Sequence, residues 1–485
     1  MSVAAASPAR ASVPHAGAPA TGAAAAARRI DSVCDRGSFH PIRTAVLSRR
    51  ARRREAGDGV LAGSCAIGGR PAFVYAQDPA FLGGSLGAAQ AETIVRILAA
   101  ARQSGVPAVG LIHSGGARMD EGAAALEGYG RIFTEHVRSS GWIPQLSVIY
   151  GTSAGGGCYS PALNDLVIMC RKASMFLTGP KVVEEVLGER LGKEELGGPG
   201  VHATNGVAPL VAADDADAAR LVRSVLSFLP QNSSEPPPLS QPAPAPEASP
   251  AALVPSSSRR VYDVAAVVAA IADRGSVLEL GDRWARNLWV GLARLAGRPV
   301  GIVANQPRHR AGVLDSATAE KGAWFIGLCD DYGLPLVVLE DTPGFMPGSA
   351  EESRGVIRHG AKLVRAFARA GVPRITVVLR KGFGGAFITM NSRALGADLV
   401  LAWPGAEIGI MAATQAVGIQ HARDLAAAAD PDGLRARLAD AYRGEHTTAA
   451  VAAADGIVDE VVAPDATRER LIAALAALGG ARRAR

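Results

Sequence analysis

Residues 152 to 161 read "TSAGGGCYSP", with three consecutive glycines between a β-like run, Ile143 to Tyr150, and a segment able to open a helix. A second such junction, "RKGFGGAFIT" at 380 to 389, follows the β-like run "VPRITVVL". Upstream of each lies another glycine cluster at the end of an apolar strand: "GVPAVGLIHSGGARMDEG" in the first half, "GLPLVVLEDTPGFMPG" in the second. Gly116 to Gly155 is 39 positions and Gly344 to Gly384 is 40. Matched spacing of strand, helical stretch and strand predicts a duplicated α/β unit, so both halves should share one fold.

Working outward, the chain has 485 residues, enough for two or three domains that each bury a core. Residues 230–258, "PQNSSEPPPLSQPAPAPEASPAALVPSSS", form a Pro/Ser/Ala tract that reads as an extended linker. The expected division is a disordered tail over 1–28, an N-terminal domain over 29–229, the linker, and a C-terminal domain over 259–485. The 48% hydrophobic and 20% charged content is that of a globular protein. The net charge of +6 owes much to six arginines between Arg43 and Arg54, which read as a solvated basic segment or a phosphate-docking site. Nucleic acid is not an expected partner, because no aromatics interleave with that charge and no recognition motif accompanies it.

Five scattered cysteines without a CxxC pair argue against a disulfide framework and a zinc ribbon. The histidines at 113, 202, 309, 359 and 421 lack metal-ligand spacing, so no metal is expected. No uninterrupted apolar run is long enough to span a membrane, and the N-terminus lacks a secretory core, which together predict a cytoplasmic protein. Neither GxGxxG nor GxxxxGK[ST] occurs, so any ATP-driven step belongs to another chain.

The glycines sit where strands turn into helices, the edge at which open α/β sheets bind ligands and helix N-termini offer unpaired N–H groups. Two such donors aimed at one point form an oxyanion hole, suited to a thioester enolate or a tetrahedral acyl intermediate. "GTSAG" resembles a nucleophile elbow with Ser153 as nucleophile, but no triad histidine or acid is evident, and the second half has Lys381 or Gly382 near that place.

These stretches closely resemble the carboxyltransferase (β) subunits of biotin-dependent acyl-CoA carboxylases of the propionyl-CoA and acetyl-CoA carboxylase type. The matches include "GSFH", "GDGVLAG", "GGSLG", "SGGARMDEG", "SGWIPQLS", "AGGGCYSPAL" and "MFLTGP", then "GRPVGIVANQP", "AGVLD", "DTPGFMPG", "IRHGAKL", "RKGFGGAF" and "AWPGAEI", in family order from about Arg29 to Leu475. The resemblance implies an α/β fold of two tandem crotonase-like (ClpP/crotonase) domains built of duplicated ββα-type units. It implies acyl-CoA on the N-terminal domain and carboxybiotin on the C-terminal domain of a neighbouring subunit, within a homo-oligomer that is usually a hexamer. The chain lacks an ATP-grasp motif and a Met-Lys-Met biotin site, so a separate biotin carboxylase/biotin carrier partner is implied.

Carried over by position, Gly155 and Gly156 would hold the thioester oxygen, with Ser114, Gly115, Gly116, Ala117, Arg118 and Ala154 binding acyl-CoA. Gly385 and Ala386 would polarise the biotin ureido oxygen, with Gly344, Phe345 and Gly384 binding carboxybiotin. In the implied scheme carboxybiotin releases CO2, its nitrogen takes the acyl α-proton, and the enolate captures CO2 to give a malonyl-CoA-type product. No side-chain acid or base is needed.

Departures from the family pattern cluster in the second half. Ile388 stands where propionyl-type relatives commonly have Asp and acyl choice is tuned. Ala412 and Gln415 replace usual glycines in "GIMAATQAVG", "RGEHTTAAVAAADG" replaces a usual NPYxAAxRG stretch, and His113 replaces the Asp before SGGAR. They keep open a biotin-independent acyl-CoA decarboxylase and a non-catalytic scaffold in a mixed ring.

Overall fold

The computed structural model describes residues 23–48, 51, 53–244, 247–258 and 260–479. Two sheets of eight strands each carry the fold. The first comprises β1 (His40–Pro41), β2 (Val60–Ile67), β3 (Arg70–Gln77), β4 (Ala108–Ser114), β5 (Gln145–Ala154), β6 (Leu166–Cys170), β7 (Ser174–Phe176) and β8 (Leu210–Ala212). The second comprises β9 (Leu278–Leu280), β10 (Leu288–Leu295), β11 (Arg298–Asn305), β12 (Leu336–Thr342), β13 (Arg374–Phe383), β14 (Leu399–Ala402), β15 (Glu407–Gly409) and β16 (Glu460–Val461).

Their orders match: β1-β2-β3-β4-β5-β6-β8 with β7 on β5, and β9-β10-β11-β12-β13-β14-β16 with β15 on β13. In each, an antiparallel hairpin (β2–β3, β10–β11) is followed by parallel pairing from its second strand onward. Strands β4 and β12 are buried almost end to end, as strands covered by helices on both faces must be. Helices Ala88–Ser104 and Ala123–Ser139 pack together on one face of the first sheet, and Ser316–Asp331 and Val356–Arg369 do the same on the second. The predicted duplication is therefore real, and the fold is crotonase-like.

The register fixes which residues correspond. Ser114 pairs Ser153 after a bulge at Ile112, and Thr342 pairs Gly382 after a bulge at Glu340. Isolated bridges join Leu86 to Ala117 and Leu314 to Phe345. Hence Gly116 corresponds to Gly344, Ala117 to Phe345, Gly155 to Gly384, Gly156 to Gly385 and Gly157 to Ala386.

Three expectations about organisation need adjustment. The helix Ala23–Val33 claims the last residues of the expected tail, because an alanine-rich run has high helix propensity and buries Ala26, Ile30 and Val33; residues 1–22 lie outside the described residues, as do Arg49, Arg50 and Arg52 of the basic run. The linker is tied down and carries a short helix, Pro250–Leu253: Asn232 donates to Gly105 O at 2.9 Å, Ser240 N to Gly297 O at 3.0 Å, and Ser249 to Asp465 at 2.7 Å. The halves also share one hydrophobic core, in which Leu288, Phe325, Leu363 and Phe367 join the N-terminal cluster. Tyr332 crosses the seam, its hydroxyl oxygen within hydrogen-bond distance of both Ile143 O, 2.8 Å, and Asp165, 2.7 Å.

Candidate active site

Each long parallel strand of the central pair ends in a turn that opens a short helix, Gly156–Ala162 after β5 and Gly384–Thr389 after β13. The residue at each corner is a glycine with φ of 57° (Gly155) or 59° (Gly384), a left-handed conformation that L side chains adopt with strain. The facing loops turn the same way at Gly116 and Gly344, φ 101° and 137°.

Backbone bonding within these turns sorts the donors. Gly155 N–H is spent on Phe176 O at 3.0 Å and Gly115 N–H on Gly83 O at 3.0 Å, so neither faces a ligand. The amides of Gly156 and Gly157, like those of Gly385 and Ala386, begin helices where no earlier turn can accept them, and no internal acceptor meets them among the described residues. The unbonded N-terminal amides thus lie one position beyond Gly155/Gly156, in register with Gly385/Ala386. On the facing loops, Leu86 bonds Gly116 O and Arg118 N, and Leu314 bonds Gly344 O and Met346 N. Ala117 and Phe345 therefore point their own N–H groups away from that ladder, toward the helix-opening turns.

The other expected residues lie around these turns, and Arg118 among them faces inward. Ser114 is buried, 3.4 Å from Tyr129 Oη, and its hydroxyl receives Gly116 N–H at 3.3 Å. Ala154 ends β5 beside the turn. Arg118 faces inward: it is 3% exposed and held by Asp58 at 2.8 Å and Glu121 at 2.7 Å. It cannot greet a substrate; it anchors the loop from behind, and burial pushes the Asp58 carboxyl up despite this partner. Ile388 is exposed on the short C-terminal helix. Ser153 is fully buried and donates to Gly157 O at 2.8 Å, and its counterpart is Gly382, which removes it as a nucleophile.

Beneath Gly157 lies a small enclosed chamber lined by Tyr75, Leu86, Ile94, Ile112, Tyr129 and Ile132. Behind the C-terminal turn, sequence reading missed a buried polar group. Asp341 is fully buried and bound by Arg380 at 3.0 Å, Lys381 at 3.6 Å and Tyr262 at 2.9 Å. The signal was present as "LEDT" and "LRKG", charges interrupting apolar strands. In the first copy the Asp341 position is His113, whose ring fills the space over Gly151 and whose pKa burial lowers to about 4. Among the described residues no cluster of three or more potential metal ligands occurs, and no helix is long and apolar enough to cross a membrane.

Two copies of one fold, each presenting unpaired amides opposite a glycine loop, define a tandem crotonase-like acyl-CoA enzyme. Residues 19–485 match the model of the carboxyl transferase domain family. The propionyl-CoA carboxylase carboxyltransferase subunit of Haloferax mediterranei is 43% identical over 468 residues, 94% of this chain and 91% of that one. The biotin-dependent acetyl-/propionyl-coenzyme A carboxylase beta5 subunit of Mycobacterium tuberculosis is 42% identical over 471 residues, 93% and 86%. The crystal structure of the transcarboxylase 12S hexamer, with methylmalonyl-coenzyme A bound, superposes with a TM-score of 0.92 at 41% identity, covering 95% of this chain and 90% of that one. The chain belongs to the carboxyl transferase domain family, as a carboxyltransferase subunit of the biotin-dependent acyl-CoA carboxylase type. It is thus an enzyme subunit of a biotin-dependent family whose substrates are CoA thioesters.

Proposed function

We propose that the protein moves a carboxyl group from carboxybiotin, carried by a partner, to the α-carbon of a short-chain acyl-CoA. The observation that supports this most is the paired set of free amides, Gly156/Gly157 in one copy and Gly385/Ala386 in the other. In the N-terminal copy, Gly156 N–H with Ala117 N–H opposite holds the thioester oxygen as the α-proton leaves and the enolate forms. In the C-terminal copy, Gly385 N–H with Phe345 N–H opposite holds the ureido oxygen of biotin, whose carboxylated ring supplies CO2 and then accepts the proton. Ile388, beside that turn, faces the acyl group across the subunit boundary and tunes its choice.

Both turns open onto apolar rims, Met119, Leu126, Tyr159 and Leu177 around one and Ile357, Ile388 and Ile410 around the other, all exposed in the single chain. Rims of this kind mark interfaces, which supports a site closed between the N-terminal domain of one subunit and the C-terminal domain of the next. A hexamer, the assembly of the similar transcarboxylase 12S protein, satisfies this pairing. The partner is a biotin carboxylase and biotin carrier subunit.

The test uses the protein reconstituted with a biotinylated partner and assayed on acetyl-, propionyl-, butyryl- and longer acyl-CoA. A Cβ on Gly385 meets nothing within 4 Å. Gly385→Ala, which keeps the N–H, should retain its rate, whereas Gly385→Pro, which deletes it at a tolerated first-turn position, should lose roughly 10²- to 10³-fold. Equal rates in both variants contradict the assignment.

A further inference from the structure

The two amide-bearing turns are braced by different side chains. In the N-terminal copy, Ser153 of β5 donates its hydroxyl to Gly157 O at 2.8 Å, fixing the first turn of the short helix. The corresponding residue of β13 is Gly382, which has no hydroxyl to give. The neighbouring strand compensates: at the position of Ile112 in β4, strand β12 carries Glu340. A Cβ built on Gly382 would stand 3.1 Å from Glu340 Oε1 and 2.9 Å from the Phe387 ring, so the carboxyl lies against the space a serine side chain would fill. Glu340 is fully buried, and among the described residues neither of its carboxyl oxygens has a hydrogen-bond partner. Such an orphan is costly unless it has a task.

Its surroundings favour the uncharged form. Burial, and then Asp341 beside it, push the Glu340 carboxyl well above the usual carboxylate range. Asp341 points to the other face of the sheet, where Tyr262, Arg380 and Lys381 hold it. On the covering helices, His359 and Lys362 are both engaged by Glu320 at 3.0 Å. The groups that meet the Gly382 position from β13 and the short helix, Gly382 itself and Phe387, do not titrate. Among the described residues no cation therefore stabilises an ionised Glu340.

We propose that Glu340 is a positioning residue of the C-terminal turn, supplying as a neutral carboxylic acid the hydroxyl that Ser153 supplies to the N-terminal one. A protonated carboxyl keeps one O–H donor, and an ionised one is acceptor-only. The acceptor is Ala386 O, the counterpart of Gly157 O; it already receives Met390 N at 2.9 Å and has a second lone pair. Ionisation would break the brace and set a negative charge behind amides that must meet a negative oxygen. The inference rests on Gly385 and Ala386 serving as the biotin-side donors.

The experiment follows loss of the carboxyl group from the biotinylated partner as a function of pH, with acyl-CoA binding and thermal unfolding measured alongside. Wild-type rate should fall at alkaline pH. Glu340→Gln, neutral and still a donor, should keep the neutral-pH rate and lose that alkaline decline. Glu340→Ile should slow the biotin side roughly a hundredfold while leaving acyl-CoA binding unchanged. Adding Gly382→Ser to Glu340→Ile transplants the N-terminal arrangement and should restore most of the rate. A folded Glu340→Ile at wild-type rate, or a Glu340→Gln profile identical to wild type across the alkaline range, overturns the proposal. Gly385→Pro separates the two levels: an unchanged rate there removes the donors themselves, whereas a slow Gly385→Pro beside a fully active Glu340→Ile removes only the brace.

Discussion

The two halves share a backbone and differ in what stands behind it. In the N-terminal copy the position after the strand bulge is His113, kept neutral by burial, with Gly151 making room for its ring. In the C-terminal copy it is Asp341, fully buried with a guanidinium, an ammonium and a phenol around it. Below the turns the exchange repeats, Ile112 and Ser153 on one side against Glu340 and Gly382 on the other. Both copies present main-chain amides at the same place, so the side chains behind them are free to differ; under the proposed function one set suits a thioester and the other a urea ring.

Substitutions that act on one copy only can break that comparison. The largest effect is expected from Gly156→Val: a Cβ at Gly156 would stand 2.8 Å from the Tyr129 ring, so the turn must move and take its N–H with it. Turnover should fall by at least 10²- to 10³-fold, while Gly385→Val, with open space around its Cβ, should lose far less in the same carboxylation assay.

Next comes the buried charge. Arg380→Met leaves Asp341 in the interior without its main partner, which should cost about 3–5 kcal/mol in urea unfolding. His113→Leu, which replaces a neutral ring, should cost much less; similar losses would mean the two copies are not differently charged.

Acid and base should then act in opposite directions. Neutral His113 contributes stability that is fully present above its ordinary pKa of 6.5 and is lost as pH falls toward about 4. At the seam, burial raises Asp165 from 3.8 to about 7, so its contribution is present below 3.8 and is lost as pH rises through 7. His113→Gln should flatten the acid side of a melting-temperature profile and Asp165→Asn the neutral side. An unchanged slope in either variant contradicts that assignment. The smallest effect belongs to Ile388→Ala, exposed on its helix. It should leave stability within about 0.5 kcal/mol and shift the acyl-CoA preference; an unaltered KM series would take Ile388 out of the acyl pocket.

Much of this was legible in the glycines. Their matched spacing announced the duplication, and their place between strand and helix announced the amide donors. The offset between Gly155/Gly156 and Gly156/Gly157 was not legible, because it depends on Phe176 O of β7 capturing the Gly155 amide. Arg118 was misread for a related reason: "GGAR" shows a cation beside a binding loop, but Asp58, sixty positions earlier in the chain, turns it inward. The roles of Glu340 and Asp341 stayed hidden because a pair of acids in a sequence does not reveal that successive strand residues point to opposite faces of a buried sheet.

Direct sight of the thioester carbonyl in the site is the sharpest test of the amide assignment. Isotope-edited infrared difference spectra of bound propionyl-CoA should show the C=O stretch lowered relative to free ligand in wild type, and lowered equally in Gly385→Pro, whose defect lies in the other copy. It should return toward the free value in Gly156→Val. A carbonyl that vibrates in wild-type protein as it does in solution would contradict the account.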